Sequence, residues 1–183
     1  ITRGVSYIPE ETTDTPTDGY LPIFRANNIV DGNLVYDGLT YVLKKNISSD
    51  QLVTNRSMII AMSSGSQAHV GKAAMAYGDL PYSYGAFCAK IPIEQAYEGL
   101  ISTYLKGYWF RSHLEQMLLG TTINNIKRED IEGIELSVLN SSVLKEFEEA
   151  YQSFSSYKAS IVRELDVLCE LQKKIVLSLS KGA

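Results

Sequence analysis

Cysteine is scarce in this chain, which contains only Cys88 and Cys169. Two single cysteines this far apart do not make a disulfide framework, so the sequence excludes a small secreted domain held together by disulfides. We therefore expect a reducing compartment, the cytoplasm. No apolar run approaches the length of a transmembrane helix, and no membrane partner is expected.

Recognisable catalytic motifs are also lacking. The stretch from Gly65 to Ala73 resembles a phosphate-binding loop, but five residues separate Gly65 from Gly71, and Ala73 stands where serine or threonine must reach magnesium. His69 and His113 are isolated, so neither indicates a metal site. There is no Gly-x-Ser-x-Gly turn and no Pro-Pro-aromatic run of the adenine methyltransferase kind. The sequence therefore predicts no enzyme, no cofactor and no metal.

The chain also lacks an excess of positive charge, since its net charge is −4. From Ser141 onward there are six basic and six acidic residues, which leaves eleven basic and fifteen acidic residues in 1–140. This mildly acidic balance counts against a strong nonspecific grip on DNA phosphates. Apolar content of 45% and charged content of 21% are typical of a folded globular protein.

Proline and glycine are absent between Ser141 and Ser180, which predicts one uninterrupted helix. At about 1.5 Å per residue such a helix is roughly 55–60 Å long. A heptad-like apolar seam, weakened at Lys158 and Gln172, predicts pairing with another helix. The seam consists of Phe147, Tyr151, Phe154, Ile161, Leu165, Leu168, Ile175 and Leu179. The alternative is that this helix packs back on its own domain.

The first part of the chain has the pattern of an α+β domain. We predict strands at 20–25, 34–36, 57–62, 70–77, 85–93 and 134–139, a helix within 94–119 and a helical turn at 127–131. Pro22 predicts that the strand at 20–25 lies at a sheet edge. The expected fold is a mixed or antiparallel sheet domain over 1–140, followed by a long coiled-coil-type helix over 141–183.

Polar loops follow several of the predicted strands, and their side chains suit the reading of DNA. Arginine recognises guanine, and asparagine or glutamine recognises adenine, while serine, threonine, tyrosine and lysine commonly bind phosphates. Loops are polar in any domain, so the set carries the prediction and no single member does. The candidate DNA contacts are Arg25, Asn27, Asn28, Ser63, Ser64, Ser66, Gln67, Lys72, Tyr82, Tyr84, Thr121, Thr122, Asn124, Asn125, Lys127 and Arg128.

Several motifs together resemble the specificity subunit of type I restriction-modification systems, in particular one target recognition domain with its spacer helix. The resemblance covers nearly the whole chain, and its most specific part is the junction from Gly120 to Ile131 followed by a long helix. Looser motifs are Gly4-Val-Ser-Tyr7, Leu21-Pro-Ile-Phe-Arg-Ala-Asn-Asn-Ile29, Ile59-Ile-Ala-Met-Ser-Ser-Gly-Ser66, Val70-Gly-Lys72 and Gly85-Ala-Phe87.

This resemblance implies a non-catalytic reader of double-stranded DNA in a prokaryotic cytoplasm. Its partners would be methyltransferase subunits and, in the full complex, motor-nuclease subunits. Members of the family usually carry two recognition domains and two spacer helices, whereas this chain has one of each. It is therefore expected to be either a natural half-subunit or a fragment.

A homodimer through the long helix would place two identical recognition domains at opposite ends of the helices. The DNA site is then expected to be a split palindrome whose half-site centres lie roughly 10–15 base pairs apart. Two alternatives remain open at this point. The chain would otherwise be a coiled-coil protein-interaction module without DNA binding, or part of a single-polypeptide restriction-methylation enzyme.

Overall fold

The computed structural model describes residues 1–78, 80–118, 125–137 and 140–181. Beyond residue 161 it describes the side chains of Glu164, Val167, Leu168, Leu171, Gln172 and Ile175. The strands are β1 (Thr2–Arg3), β2 (Thr12–Thr13), β3 (Tyr20–Phe24), β4 (Ile29–Val30), β5 (Asn33–Leu34), β6 (Thr40–Leu43), β7 (Ser57–Ala61), β8 (Ala73–Ala76), β9 (Ser83–Tyr84) and β10 (Cys88–Pro92). The helices are α1 (Glu98–Lys106), α2 (Tyr108–Leu118), α3 (Arg128–Glu132) and α4 (Ser141–Lys181).

Two four-stranded sheets form the body of the α+β fold, which confirms the predicted fold class. The first sheet is antiparallel with the order β1-β10-β7-β8, and the second is mixed with the order β2-β6-β3-β9. Met58 and Ile60 of β7 pack towards α1 and α2, while Ile59 and Ala61 pack towards the second sheet. Because both faces of β7 are buried, its sequence is a continuous apolar run without alternation.

The prediction that Pro22 marks an edge strand is wrong, because β3 lies between β6 and β9. Proline is tolerated there since β9 is short and pairs only with Ile23 and Phe24. Pro22 itself is paired with Tyr41 of β6 alone. The predicted strand at 134–139 is absent from its described part, residues 134–137.

The predicted helix within 94–119 is divided into α1 and α2 at Gly107. The backbone at Gly107 is extended, with φ −88° and ψ 171°, and this ends α1. A Cβ atom at this position would lie 2.7 Å from the Thr103 carbonyl oxygen, so the close approach needs glycine. Both helices cover the first sheet. Phe110 and Leu114 of α2 are buried in the core that the helices share with this sheet.

The first turns of α4 pack on α1 through a buried acidic side chain. Glu148 is 4% exposed. Its two carboxylate oxygens accept the backbone N–H groups of Gly99 at 2.7 Å and Leu100 at 2.9 Å. These N–H groups lie in the first turn of α1, where the helix itself offers no acceptor. Tyr151 donates a hydrogen bond of 2.6 Å to Ser102 one turn further along.

This contact, which we call the helix joint, continues to Ser155. Gln152 and Gln95 exchange two hydrogen bonds of 3.0 Å, and the Tyr77 hydroxyl donates to Ser155 at 3.4 Å. A Cβ atom on Gly99 would approach the Tyr151 ring to 2.7 Å, so the joint requires the bare backbone there. The first part of α4 therefore packs on its own domain, which was the alternative to pairing with another helix.

A second buried carboxylate lies beside the helix joint. Glu98 is 3% exposed, and its Oε2 atom is 3.1 Å from the Arg56 guanidinium Nε. Burial raises the pKa of Glu98 above its ordinary value, an effect that the Arg56 charge partly offsets. Glu98 beside the joint thus pairs with a cation, and Glu148 in the joint accepts N–H groups at a helix N-terminus.

Apolar side chains of α4 are exposed from Phe154, near the end of the joint, onward. Phe154 is 75% exposed, Ile161 40%, Leu168 60% and Ile175 58%. The side chains of Leu165 and Leu179, also placed on the predicted seam, lie outside the described residues. Within the described ranges, no helix combines the length and the apolarity that crossing a bilayer requires.

Candidate nucleic-acid interface

Four loops that are distant in sequence meet around one cleft of about 650 Å³, which we call the loop cleft. It brings together Arg25 and Asn27, which follow β3, with Ser63 and Ser64, which follow β7. The whole lining consists of Arg3, Ser6, Tyr7, Arg25, Ala26, Asn27, Ser63, Ser64, Gly65, His69, Gly85, Ala86, Phe87 and Cys88. The four segments converge on a single concave surface, which includes the two predicted polar loops after β3 and β7.

Asn28 organises the loop after β3 from within the protein. It is 1% exposed, and its Oδ1 atom accepts the backbone N–H of Arg25 at 3.0 Å. Its amide nitrogen donates to the carbonyl oxygens of Val35 and Asp37. Asn27, by contrast, is exposed. This local structure makes Asn28 the support of the loop and directs Arg25 and Asn27 to the cleft.

Arg25 brings a donor that its own chain leaves unpaired. Its Nε atom is buried and has no hydrogen-bond partner among the described atoms. Below it lies Cys88, whose thiol pKa is raised to about 12 by burial, an effect that the Arg25 charge partly offsets. The thiol is therefore uncharged and does not neutralise the guanidinium. Guanine O6 and N7 are acceptors that suit such a side chain.

The junction before α3 extends the same surface. Ser63 forms an antiparallel bridge with Asn125, and Ile126 donates its backbone N–H to the Met62 carbonyl at 2.7 Å. A second cleft of about 360 Å³, the junction cleft, shares Arg3, Ser63 and Ala86 with the loop cleft. Its lining also includes Asn125, Lys127 and Arg128. The two clefts are thus neighbours on one face.

The charge of this face differs from that of the whole chain. Arg3, Arg25, Lys127 and Arg128 line the two clefts, and no carboxylate is among the described residues that line them. Glu132, next to the face, pairs with Arg128 at 2.7 Å and offsets part of its charge. An acidic protein therefore presents a locally basic, hydrogen-bonding surface, which is the electrostatic pattern of a polyanion-binding site.

Other predicted residues lie elsewhere. Ser66 and Gln67 are exposed further along the loop after β7, and Lys72 lines a separate pocket of about 200 Å³. Tyr82 is half-buried, with its ring 5.2 Å from that of Phe24. Tyr84 is fully buried, and burial raises its pKa. Thr121, Thr122 and Asn124 lie outside the described residues.

The cleft residues that were missed as candidate contacts include Arg3, Tyr7 and Phe87. The signal was present, because Tyr7 and Phe87 belong to the short motifs at 4–7 and 85–87 that carry part of the family resemblance. Arg3 donates from Nε to the Ala86 carbonyl at 3.0 Å, which ties the N-terminal segment to the turn before β10. Among the side chains that the structure describes, no three His, Cys, Asp or Glu residues gather to hold a metal ion.

Comparison with known proteins identifies relatives in one family. No protein-family model matches the chain. The type I restriction enzyme EcoKI specificity subunit of Escherichia coli (strain K12) is 34% identical over 137 residues, which cover 74% of this chain and 30% of that protein. The type I restriction enzyme StySPI specificity subunit of Salmonella potsdam is 31% identical over 175 residues, covering 94% of this chain and 37% of that protein.

A solved structure gives a similar fold. One chain from a study of complex assembly and conformational transition of the type I R-M system aligns with 88% of this chain and 37% of its own length, with a TM-score of 0.51. Its sequence identity is 15%, so this likeness concerns the fold alone. The chain is therefore a homologue of the type I restriction enzyme specificity subunits and spans about a third of the length of the curated relatives that it matches.

Proposed function

We propose that this chain is a sequence-specific DNA-recognition component of a type I restriction-modification system. It is non-catalytic, and it directs methyltransferase subunits, together with motor-nuclease subunits in the full complex, to a bipartite DNA site. Residues 1–140 act as the recognition domain and 141–183 as the spacer helix. This function takes place in the cytoplasm of a prokaryotic cell.

The convergence of polar loops on a basic face without lining carboxylates carries this proposal. DNA requires cations for its phosphates and hydrogen-bonding side chains for its base edges, and the two clefts offer both kinds. The net charge of −4 leaves little general attraction for DNA. Specificity therefore depends on base contacts, while a methyltransferase partner supplies much of the nonspecific grip.

The alternative, a coiled-coil interaction module without DNA binding, explains the exposed apolar side chains of α4. This alternative gives no reason for a locally basic, concave face on an acidic chain. The sequence relatives of the chain are specificity subunits. The DNA-recognition function accounts for both features and is the better supported of the two.

Methylome sequencing tests the proposed function in a host that expresses the chain with a neighbouring methyltransferase. We expect a split, near-palindromic motif of methylated adenine that disappears when the gene is deleted. The Arg25→Ala variant should lose a guanine preference at one position of each half-site, because Arg25 lines the loop cleft and a guanidinium suits the O6 and N7 acceptors of guanine. The purified variant should bind the motif more weakly by about 1–3 kcal/mol.

The matched control is Arg111→Ala, an arginine on α2 that lines neither of the two clefts. It should leave the motif unchanged. Equal weakening of Arg25→Ala on every sequence would reduce Arg25 to a phosphate contact. Two unlike half-sites would require a second, different recognition domain in the complex. A methylome without any motif that depends on the gene would contradict the proposed function.

We also propose that two copies pair through the exposed apolar side chains of α4 from Phe154 onward. Phe154, Ile161, Leu168 and Ile175 recur every seven residues and are at least 40% exposed, which leaves an apolar stripe for a partner helix. Pairing of two identical chains would set the two recognition faces at a fixed separation and give a palindromic site.

Leu168→Glu tests this pairing. The charge would be buried in the helix-helix contact, so we expect a monomer in sedimentation velocity at concentrations where the parent chain is a dimer. Since Leu168 is 60% exposed in the single chain, the circular dichroism and melting of the globular part should be unchanged. Val167→Glu, the same kind of change at the adjacent residue, which is also 60% exposed but lies off the seam, is the control and should leave the dimer intact.

A further inference from the structure

Phe87 is an exposed aromatic side chain in the lining of the loop cleft. It is 65% exposed and lines the loop cleft with Arg25, Asn27 and Ser64. Single exposed apolar residues are common on protein surfaces and need no explanation in themselves. Among the described residues that line this cleft, however, Phe87 is the only large apolar side chain that is mostly exposed.

The backbone around Phe87 is fixed by hydrogen bonds on both sides. Its carbonyl oxygen accepts the N–H groups of Met62 at 2.8 Å and Ser63 at 3.2 Å. Cys88 closes the turn by donating to the Gly85 carbonyl at 2.8 Å. The ring is thus presented from a rigid turn attached to β7, so its position in the cleft is set before any ligand binds.

The chemistry of the neighbours indicates what the ring meets. Arg25 and Asn27 are the side-chain types that read base edges in the major groove, and the major groove offers one apolar feature, the C5 methyl group of thymine. Aromatic wedges between base pairs are instead typical of minor-groove binders. An apolar ring placed beside edge-reading residues therefore suits a methyl contact better than insertion between bases.

We propose that Phe87 reads the C5 methyl group of a thymine in the recognised half-site. This inference rests on the proposed function and adds a specificity-determining residue to it. Removal of that methyl group from the DNA should weaken binding about threefold to tenfold, the loss expected for one buried methyl contact.

Replacement of thymine by deoxyuridine removes this methyl group and keeps every hydrogen-bonding group of the base. With duplexes that carry the methylome motif, each thymine of a half-site is replaced in turn and the affinity of the purified full chain is measured by fluorescence anisotropy. We expect one position at which the parent chain prefers thymine. At that position Phe87→Ala should bind both duplexes alike, with the affinity that the parent shows for the deoxyuridine duplex.

Two further variants separate specificity from folding. Phe87→Leu keeps an apolar side chain and should retain part of the preference for thymine. Tyr108→Ala, at an aromatic residue that is 75% exposed but lies outside the loop cleft, should retain all of it. Because Phe87 is mostly exposed, its replacement removes little core packing, and circular dichroism checks that each variant is folded.

Several outcomes would overturn the inference while leaving the proposed function intact. These are a motif without thymine, a parent chain that binds thymine and deoxyuridine duplexes alike at every position, or a Phe87→Ala variant that keeps the full preference. Equal weakening of Phe87→Ala on both duplexes, with increased fluorescence of a 2-aminopurine beside the site, would show stacking on a displaced base instead. Absence of sequence-specific binding by the parent chain would overturn the proposed function and this inference together.

Discussion

Replacement of Glu148 by alanine is expected to lower the free energy of unfolding by about 3 kcal/mol, since hydrogen bonds to a charged group contribute about 1.5–3 kcal/mol each and a helix cap about 1 kcal/mol. Both carboxylate oxygens are engaged, with the N–H groups of Gly99 and Leu100. The carboxylate is 4% exposed, so water does not readily replace it when it is removed. Two N–H groups at the start of α1 would then be left without an acceptor.

Urea unfolding of matched variants measures this effect. Glu149→Ala is the control, because Glu149 is the adjacent residue, its side chain is 67% exposed and its carboxylate lies 3.9 Å from the Lys145 amine in a surface ion pair. That surface pair should contribute less than about 0.5 kcal/mol. Glu148→Gln keeps one acceptor oxygen and should fall between the two. Equal stabilities of Glu148→Ala and Glu149→Ala would show that the helix joint does not stabilise the fold.

The helix joint matters for the proposed function because a spacer sets a distance only if its direction is fixed. Hydrogen bonds that Glu148 accepts and that Tyr151 and Gln152 donate connect α4 to α1 and to the segment before α1. Rotation of α4 about this contact would have to break several of these bonds together. The orientation of α4 relative to the loop cleft is therefore fixed by the folded structure.

Local signals predicted the strongest elements of the fold. Asp31 and Gly32, in the turn between β4 and β5, have positive φ angles of 49° and 71°, which are typical of an Asp-Gly hairpin turn. The apolar run at 57–62 forms β7, and the stretch without proline or glycine between Ser141 and Ser180 forms most of α4. In each case neighbouring residues alone determine the structure, so one sequence suffices to predict it.

Sheet order was less predictable because it depends on residues far apart in the chain. Pro22 excludes a hydrogen-bonding neighbour only at its own position, and the short β9 satisfies that condition while still covering Ile23 and Phe24. A proline therefore limits the local reach of the neighbouring strand and does not by itself place a strand at the edge. The sequence around Pro22 does not indicate how far the pairing between β9 and β3 extends.

The candidate site shows the same division between local and distant information. Asn27 and Asn28 are chemically identical neighbours, yet one is exposed at the loop cleft and the other is 1% exposed beneath it. Tyr82 and Tyr84 were predicted as contacts from a polar loop, but the structure places both in the aromatic core beside Phe24. The residue type predicted which contacts a side chain could make. Whether the side chain is exposed at the cleft or buried beneath it depends on the tertiary fold, which the local sequence does not determine.

Replacement of Gly4 by alanine is expected to destabilise the fold by about 3 kcal/mol or more, at the upper end of overpacking effects. A Cβ atom at Gly4 would lie 2.6 Å from the carbonyl carbon of Gly85 and closer still to the carbonyl oxygens of Tyr84 and Gly85. These are backbone atoms, which cannot turn aside as a flexible side chain can. Gly4 is therefore required because the neighbouring backbone leaves no space for a Cβ atom.

The strain would be relieved by moving the N-terminal segment away from the turn before β10. Gly4 donates to the Cys88 carbonyl at 3.0 Å and Val5 donates to the Tyr84 carbonyl at 2.8 Å, so that movement would break both bonds. The same turn carries Phe87 into the loop cleft. We therefore expect sequence-specific DNA binding to fall more than about tenfold at temperatures where the variant is still folded, because displaced contacts contribute about 1–3 kcal/mol each.

Gly65→Ala is the matched control for this prediction. A Cβ atom there would meet no atom within 4 Å, although Gly65 also lines the loop cleft. Its free energy of unfolding should stay within about 0.5 kcal/mol of that of the parent chain or rise slightly. If Gly4→Ala melted like Gly65→Ala, the close packing of the N-terminal segment on the turn would be refuted. If Gly4→Ala lost stability but kept full DNA binding, the turn would not belong to the DNA-contacting face, because its displacement would leave that face unaffected.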